Sequence, residues 1–222
     1  GSGWLGIYNS VINNADIMQD YMAVTIGANL SNIAGSSIAA NYLQINSSAL
    51  LETDIDDISV VNNINNAGTL RINADGTNNN TIIGLGVLEI TNNATVANSA
   101  SAQLSQLQIS SGSAFTTDID NINTYTAGGS IINNGLLYIY ANGVNYNNIT
   151  GTGEFNVGFP NTVYNDMTAT ISQSTVTISG VFINDNGTDD AVTASNGFFV
   201  NANATLQSNA SALAGDITNN GG

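Results

Sequence analysis

The chain has 222 residues, a net charge of −15, one cationic side chain (Arg71), no His, no Cys and one Pro. One cation cannot neutralise a row of phosphates or hold an anionic bilayer, which excludes nucleic-acid binding and charge-driven membrane binding. No apolar run reaches the ~18 residues a spanning helix needs, so membrane insertion is excluded, and 42% hydrophobic content argues against disorder.

Residues 1–23 are apolar and off-pattern and are read as an N-terminal cap or assembly segment. Trp4, Tyr8 and Tyr21 are its candidate assembly residues, weighed against a hydrophobic cap for the solenoid, the more common use of such residues. Its beginning, "GSGWLGIY", has no basic n-region; any targeting segment is expected to have been removed. "ADIMQDYM" within this segment reads as strand and turn.

From Val24 to the end a short strand recurs, with two inward residues two apart. The anchors are Val24 and Ile26, Leu43 and Ile45, Leu70 and Ile72, Leu88 and Ile90, and Leu107 and Ile109. They continue as Leu137 and Ile139, Phe155 and Val157, Val176 and Ile178, and Phe198 and Val200. Alternation of this kind is the period-2 signal of strands with one buried face. First anchors are expected to stack in one ladder and second anchors in another. Leu51, Val96, Phe115 and Leu206 follow second anchors by six places and mark further strands beyond turns. "ASAQLSQL" again reads as strand and turn. Most units span about 18–22 residues, one coil each of a β-solenoid. The expected fold is all-β, a parallel β-helix of about 8–9 coils over residues 24–222.

Longer repeats lie above this unit. "LQINSSALLETDIDDI" (Leu43 to Ile58) returns without a gap as "LQISSGSAFTTDIDNI" (Leu107 to Ile122). "GTLRINADGTNNNTIIGLGVLEI", ending at Ile90, returns without a gap as "GLLYIYANGVNYNNITGTGEFNV", ending at Val157. The repetition is read as the same corner of the solenoid returning. The intervals from Leu43 to Leu70 and from Leu107 to Leu137 exceed all the others. The excess is expected to bulge near "TDIDDI" and "TDIDNI" as a binding surface. The scarcity of charge fits stacking, since like charges one strand apart (about 4.8 Å) repel, whereas Asn, Ser and Thr ladder freely.

The lines "INNAGTLRI", "IINNGLLYI" and "VNANATLQSNASALAGDITNNGG" resemble passenger domains of bacterial autotransporters and related surface adhesins. The resemblance implies a right-handed parallel β-helix and an exported, cell-surface life. It carries no functional residues.

Acidic residues supply the remaining candidates. Asp185, Asp189 and Asp190 in "NDNGTDD" partly resemble a Ca²⁺ loop, weighed against a plain solvated acidic loop. Asp54, Asp56, Asp57, Asp118 and Asp120 are possible binding-loop residues. Without His, and with one cation, catalysis is not expected. The function read is a structural or adhesive extracellular surface protein. It is expected to assemble head-to-tail into a homo-oligomeric filament, with a cell-surface glycan or protein as possible partner. The alternative is a carbohydrate-active β-helix, a polysaccharide lyase or hydrolase using Arg71, or a glycan-binding module. A cleft with paired acids beside Arg71 would favour the enzyme.

Overall fold

The computed structural model describes residues 3–124 and 129–220. Every paired strand runs parallel to its neighbours in four sheets of seven, eleven, eight and four strands. The chain is a β-solenoid. Its eleven-stranded sheet gives about ten turns, more than the 8–9 expected, and ten strand spacings make a stack about 48 Å long.

Up to the strand Ile58–Asn66 the chain alternates between the seven- and eleven-stranded sheets. From Thr69–Ile72 onward each turn visits three faces: eleven-stranded, eight-stranded, then a third. The third face is the seven-stranded sheet as far as Ile122–Thr124 and the four-stranded sheet from Gly143–Asn145. Of the segment set apart as residues 1–23, the described strands join this body. Trp4–Ile7 pairs residue for residue with Tyr21–Val24, starting the seven-stranded sheet.

Most strands bury alternate side chains, as in the patterns of Thr69–Ile72 and Glu154–Val157. All eighteen anchors but one are buried in a single apolar cluster; Ile26 is 72% exposed. It lies beyond the strand because the register is shifted by two: Met22 pairs with Leu43 and Val24 with Ile45. Nor do the anchors form two ladders. Leu43 stacks on Ile64 in the seven-stranded sheet. Leu70, Leu88 and Leu107 stack in the eleven-stranded one. Leu137, Phe155, Val176 and Phe198 stack in the eight-stranded one. Phe155 and Phe182, from different sheets, meet edge-to-face across the core at 5.9 Å.

The long intervals are therefore not bulged coils. Leu43 to Leu70 crosses from one face to another. The partner of Leu43 in the following coil is Ile64, and the partner of Leu70 in the preceding coil is Leu51. The expected Asp bulges are tight corners whose isoleucines, Ile55 and Ile119, point into the core. The excess in the second copy falls between Leu107 and its partner Ile131, a stretch that includes positions 125–128, which lie outside the described residues.

The long repeat has a geometric meaning different from a returning corner. Leu43 lies in the seven-stranded sheet and its counterpart Leu107 in the eleven-stranded one. Thr69–Ile72 lies in the eleven-stranded sheet and Leu136–Ile139 in the eight-stranded one. Gly76–Asn78 lies in the eight-stranded sheet and Gly143–Asn145 in the four-stranded one. The second copy is advanced by one face, yet keeps its local bonds. Asn66 donates to Val87 O and accepts from Gly68 N–H; Asn133 donates to Glu154 O and accepts from Gly135 N–H. Gly84 and Gly151 take φ 132° and 127° with the position of a missing Cβ 2.2 and 2.3 Å from Asn66 O and Asn133 O. Only glycine fits there.

Candidate functional site

The five corner aspartates act as fasteners. Asp54 Oδ1 accepts from Asp56 N–H at 3.1 Å, and Asp118 Oδ1 from Asp120 N–H at 3.0 Å. Asp56 Oδ1 then accepts Thr77 N–H of the next coil at 2.8 Å, as Asp120 Oδ1 accepts Val144 N–H at 2.8 Å. Asp57 Oδ2 reaches the other way, to Gly35 N–H at 3.0 Å. The carboxylates stand in for carbonyls where the chain turns out of the ladder, so backbone donors stay paired. Partial burial, and then the charges of Asp57, Asp56 and Asp75, push Asp54 above the usual carboxylate range against the opposing Asp56 N–H bond.

Asp185, Asp189 and Asp190 are exposed on the connection after Val181–Asn184. The connection is organised by a different residue. Asn186 is buried, donates to Ala169 O at 2.9 Å and accepts from Thr188 N–H and Oγ1 at 3.0 and 2.7 Å. Among the described residues no three acidic side chains converge as a metal-holding group.

Arg71 lies on the outer side of the eleven-stranded sheet, in register between Glu52 and Glu89 of adjacent coils. Its Nε is 2.7 Å from Glu89 and its Nη1 3.2 Å from Glu52. The Glu89 bond, more than offsetting desolvation, holds the guanidinium above its usual value. An open hollow of about 440 Å³ beside it is lined by Glu52, Arg71, Asn73, Thr91 and Asn92. Paired acids beside Arg71 are thus present. The guanidinium bridges both carboxylates.

Trp4, Tyr8 and Tyr21, expected at an assembly interface, lie at the start of the solenoid. Leu5 and Ile7 pack inward, so Trp4 and Tyr21 project sideways from the seven-stranded sheet, paired with each other in register. Tyr42, which sequence reading passes over, is the third rung. The ends themselves carry the open edges. The described chain finishes on Thr205–Gln207, Leu213–Ala214 and Ile217–Asn219, the outermost strands of three sheets. Between them lies a hollow of about 470 Å³ lined by Val200, Leu206, Leu213 and Ile217 among others. At the other end Trp4–Ile7 and Val11–Asn13 are the outermost strands, with Val11 and Ile12 exposed.

The laddered amides also escape sequence reading as individuals. Asn13, Asn32 and Thr53 are linked in one corner ladder, Asn78, Asn98 and Thr117 in a second, and Asn145, Asn165 and Asn184 in a third. Their signal is present in the repeated "NN" and "NxN" doublets.

No family model, no curated protein and no solved structure matches this chain.

Proposed function

We propose that the chain is an extracellular structural or adhesive surface protein, whose solenoid is extended end-to-end by further copies into a filament. The observation that carries this is the set of edge strands at either end of the described stack. One end presents three parallel edges around an apolar hollow of about 470 Å³; the other presents two edges. Unpaired N–H and C=O rows on a parallel edge are templates for another strand. Joining unlike ends is a heterologous contact, which propagates unless it closes into a ring. The right hand of the coil belongs to the same proposal, since parallel crossovers are nearly always right-handed. The near absence of cations favours a life away from nucleic acid and anionic lipid.

The carbohydrate-active alternative would centre on Arg71, Glu52 and Glu89. It has less support, because both carboxylates are engaged by the guanidinium.

Light scattering over a concentration series, with electron microscopy of the most concentrated samples, tests the proposal. Mass should rise with concentration and threads about one solenoid wide should appear. A chain that stays monomeric at millimolar concentration overturns it.

A further inference from the structure

The seven-stranded sheet carries an outward row of aromatic side chains near its first strand. Trp4, Tyr21 and Tyr42 occupy paired positions in three successive coils, so they follow one another at about the 4.8 Å strand spacing. The next rung is Asn63. Exposed large rings on an outer face are normally scattered singly. These are in line.

Trp4 and Tyr21 recline on the sheet, and the sequence makes room for them. Two places after Trp4 stands Gly6, and two after Tyr21 stands Ala23. A Cβ at Gly6 would lie 2.4 Å from Trp4 Cη2 and 2.7 Å from Tyr8 Cε2, so the indole and the phenol meet above a bare backbone. Trp4 and Tyr8 pack edge-to-face at 6.0 Å, which fixes the indole while leaving it 56% exposed. Tyr21 reaches along the sheet so that its hydroxyl donates to Gln44 Oε1 in the next coil at 2.5 Å. The amide of Gln44 is itself held by Nε2 donating to Asn46 Oδ1 at 2.8 Å. Tyr42 is 49% exposed.

Flat π faces, propped by a glycine and a hydroxyl–amide chain and bordered by amides, suit one ligand class. The axial C–H face of a pyranose is weakly positive and packs on the negative face of an aromatic ring. Its hydroxyls need the donors and acceptors that Gln44, Asn46 and Asn63 supply. An apolar protein partner would leave the Asn63 amide and the Tyr42 hydroxyl unpaired on burial. With a net charge of −15, an anionic glycan would be repelled. We infer that Trp4, Tyr21 and Tyr42 form a binding platform for a neutral, extended oligosaccharide lying along the solenoid axis. This deepens the adhesive part of the proposed function and is separate from the filament.

Trp4 is the one tryptophan of the chain, so its emission reports this platform alone. The full chain is titrated with cellohexaose, mannohexaose and chitohexaose, and with oligogalacturonate as the anionic control. A saturable blue shift or quench is expected with at least one neutral sugar and none with the anionic one. Tyr42→Ala and Tyr21→Ala should each weaken binding about fivefold or more, the worth of one aromatic contact. Gly6→Val should abolish binding while keeping every ring, because the indole can no longer lie flat. Tyr42→Ala, at an exposed site, keeps the test decisive if Gly6→Val fails to fold. No emission change at millimolar neutral sugar overturns the inference. So does unchanged affinity in Tyr42→Ala, stronger binding of the anionic sugar, or an emission shift that tracks protein concentration instead. Scattering reads assembly and emission reads sugar, so either can fail alone.

Discussion

Asn145 donates its side-chain N–H to Asn165 Oδ1 at 2.8 Å, in the next coil and out of reach of water. Asn165 repeats the bond to Asn184 Oδ1 at 2.9 Å and gives its other proton to Ala169 O at 3.1 Å. A primary amide has two donors and an accepting oxygen, so it can link the coil below, the coil above and its own turn. Asn165→Leu removes three such bonds at about 1 kcal/mol each. A loss of roughly 2–4 kcal/mol is expected in denaturant unfolding. Asn62→Ala, which removes one exposed bond to Asn41 O, should stay within about 0.5 kcal/mol. Asn165→Asp adds a buried carboxyl whose folded pKa is raised, so its deficit should grow as pH rises from 4 to 7.

The duplicated corners supply a paired experiment. Asp56 and Asp120 make the same bond, at the same 2.8 Å, to the next coil, on faces one step apart. If the corner is a self-contained device, Asp56→Ala and Asp120→Ala should cost the same, about 1 kcal/mol for an exposed charge-assisted bond. Calorimetry of the two variants decides. Unequal losses would mean that the face, or the neighbouring charges of Asp57 and Asp75 where the second copy has Asn121 and Asn142, sets the energy.

That equivalence also explains what the sequence could and could not disclose. Alternation states which side chains point inward, and seventeen of eighteen anchors do. It does not state which strand is the neighbour. Leu107 and Leu137 look alike in sequence yet lie in different sheets, because each face demands the same inside–outside pattern. Register is set by corner lengths, and corners such as Asp54–Asp57 look like loop insertions when read alone. Ile55 and Ile119 are the residues that betray them as closed turns. The outer aromatic row is hidden for the same reason: Trp4, Tyr21 and Tyr42 become neighbours only once the coils are paired.

Acid should act on this chain in two stages. Asp54, raised mainly by burial, is destabilising when ionised; that cost is absent below its unfolded value of 3.8 and returns as pH rises through its folded pKa. Asp16 and Asp166 are lowered, by bonds from Ser37 and from Thr168 respectively. Their contribution is present above 3.8 and is lost as pH falls through their lower folded values. With the large negative charge also relieved by protonation, the melting temperature should rise as pH falls from 7 towards the carboxylate range, then drop below it. Asp54→Asn should flatten the rise and Asp166→Ala the drop. A melting temperature that falls steadily from pH 7 would contradict the assignment.

The loop around Asp189 is braced by Asn186, whose oxygen already accepts two bonds from Thr188. The loop therefore has its own internal support, and its carboxylates face solvent. EDTA should leave the melting temperature unchanged, and Asn186→Ala should lower it by about 2 kcal/mol-equivalent through the lost buried bonds. A clear fall on chelation, restored by Ca²⁺ and absent in Asp189→Asn, would place the ion there instead.

The last strand pairs Phe198 with Ile217, and the two rungs differ in kind. Phe198 is fully buried, whereas Ile217, in the outermost described strand, is 54% exposed beside the terminal hollow. If another copy extends the stack, Ile217 becomes an interior rung and Leu206 and Leu213 are sealed beneath it. A lysine at this rung would then be buried unpaired, which is severely unfavourable, while in the separate chain it remains in solvent. Ile217→Lys should therefore leave the melting temperature of dilute protein within about 1 kcal/mol-equivalent of the parent, since the site is already half open. At high concentration the parent should scatter as long assemblies and the variant as single chains. Trp4→Ala, on the lateral face, should assemble like the parent. Assembly that survives Ile217→Lys but fails with Trp4→Ala would move the contact from the ends to the side of the solenoid, and the end-to-end filament would have to be abandoned.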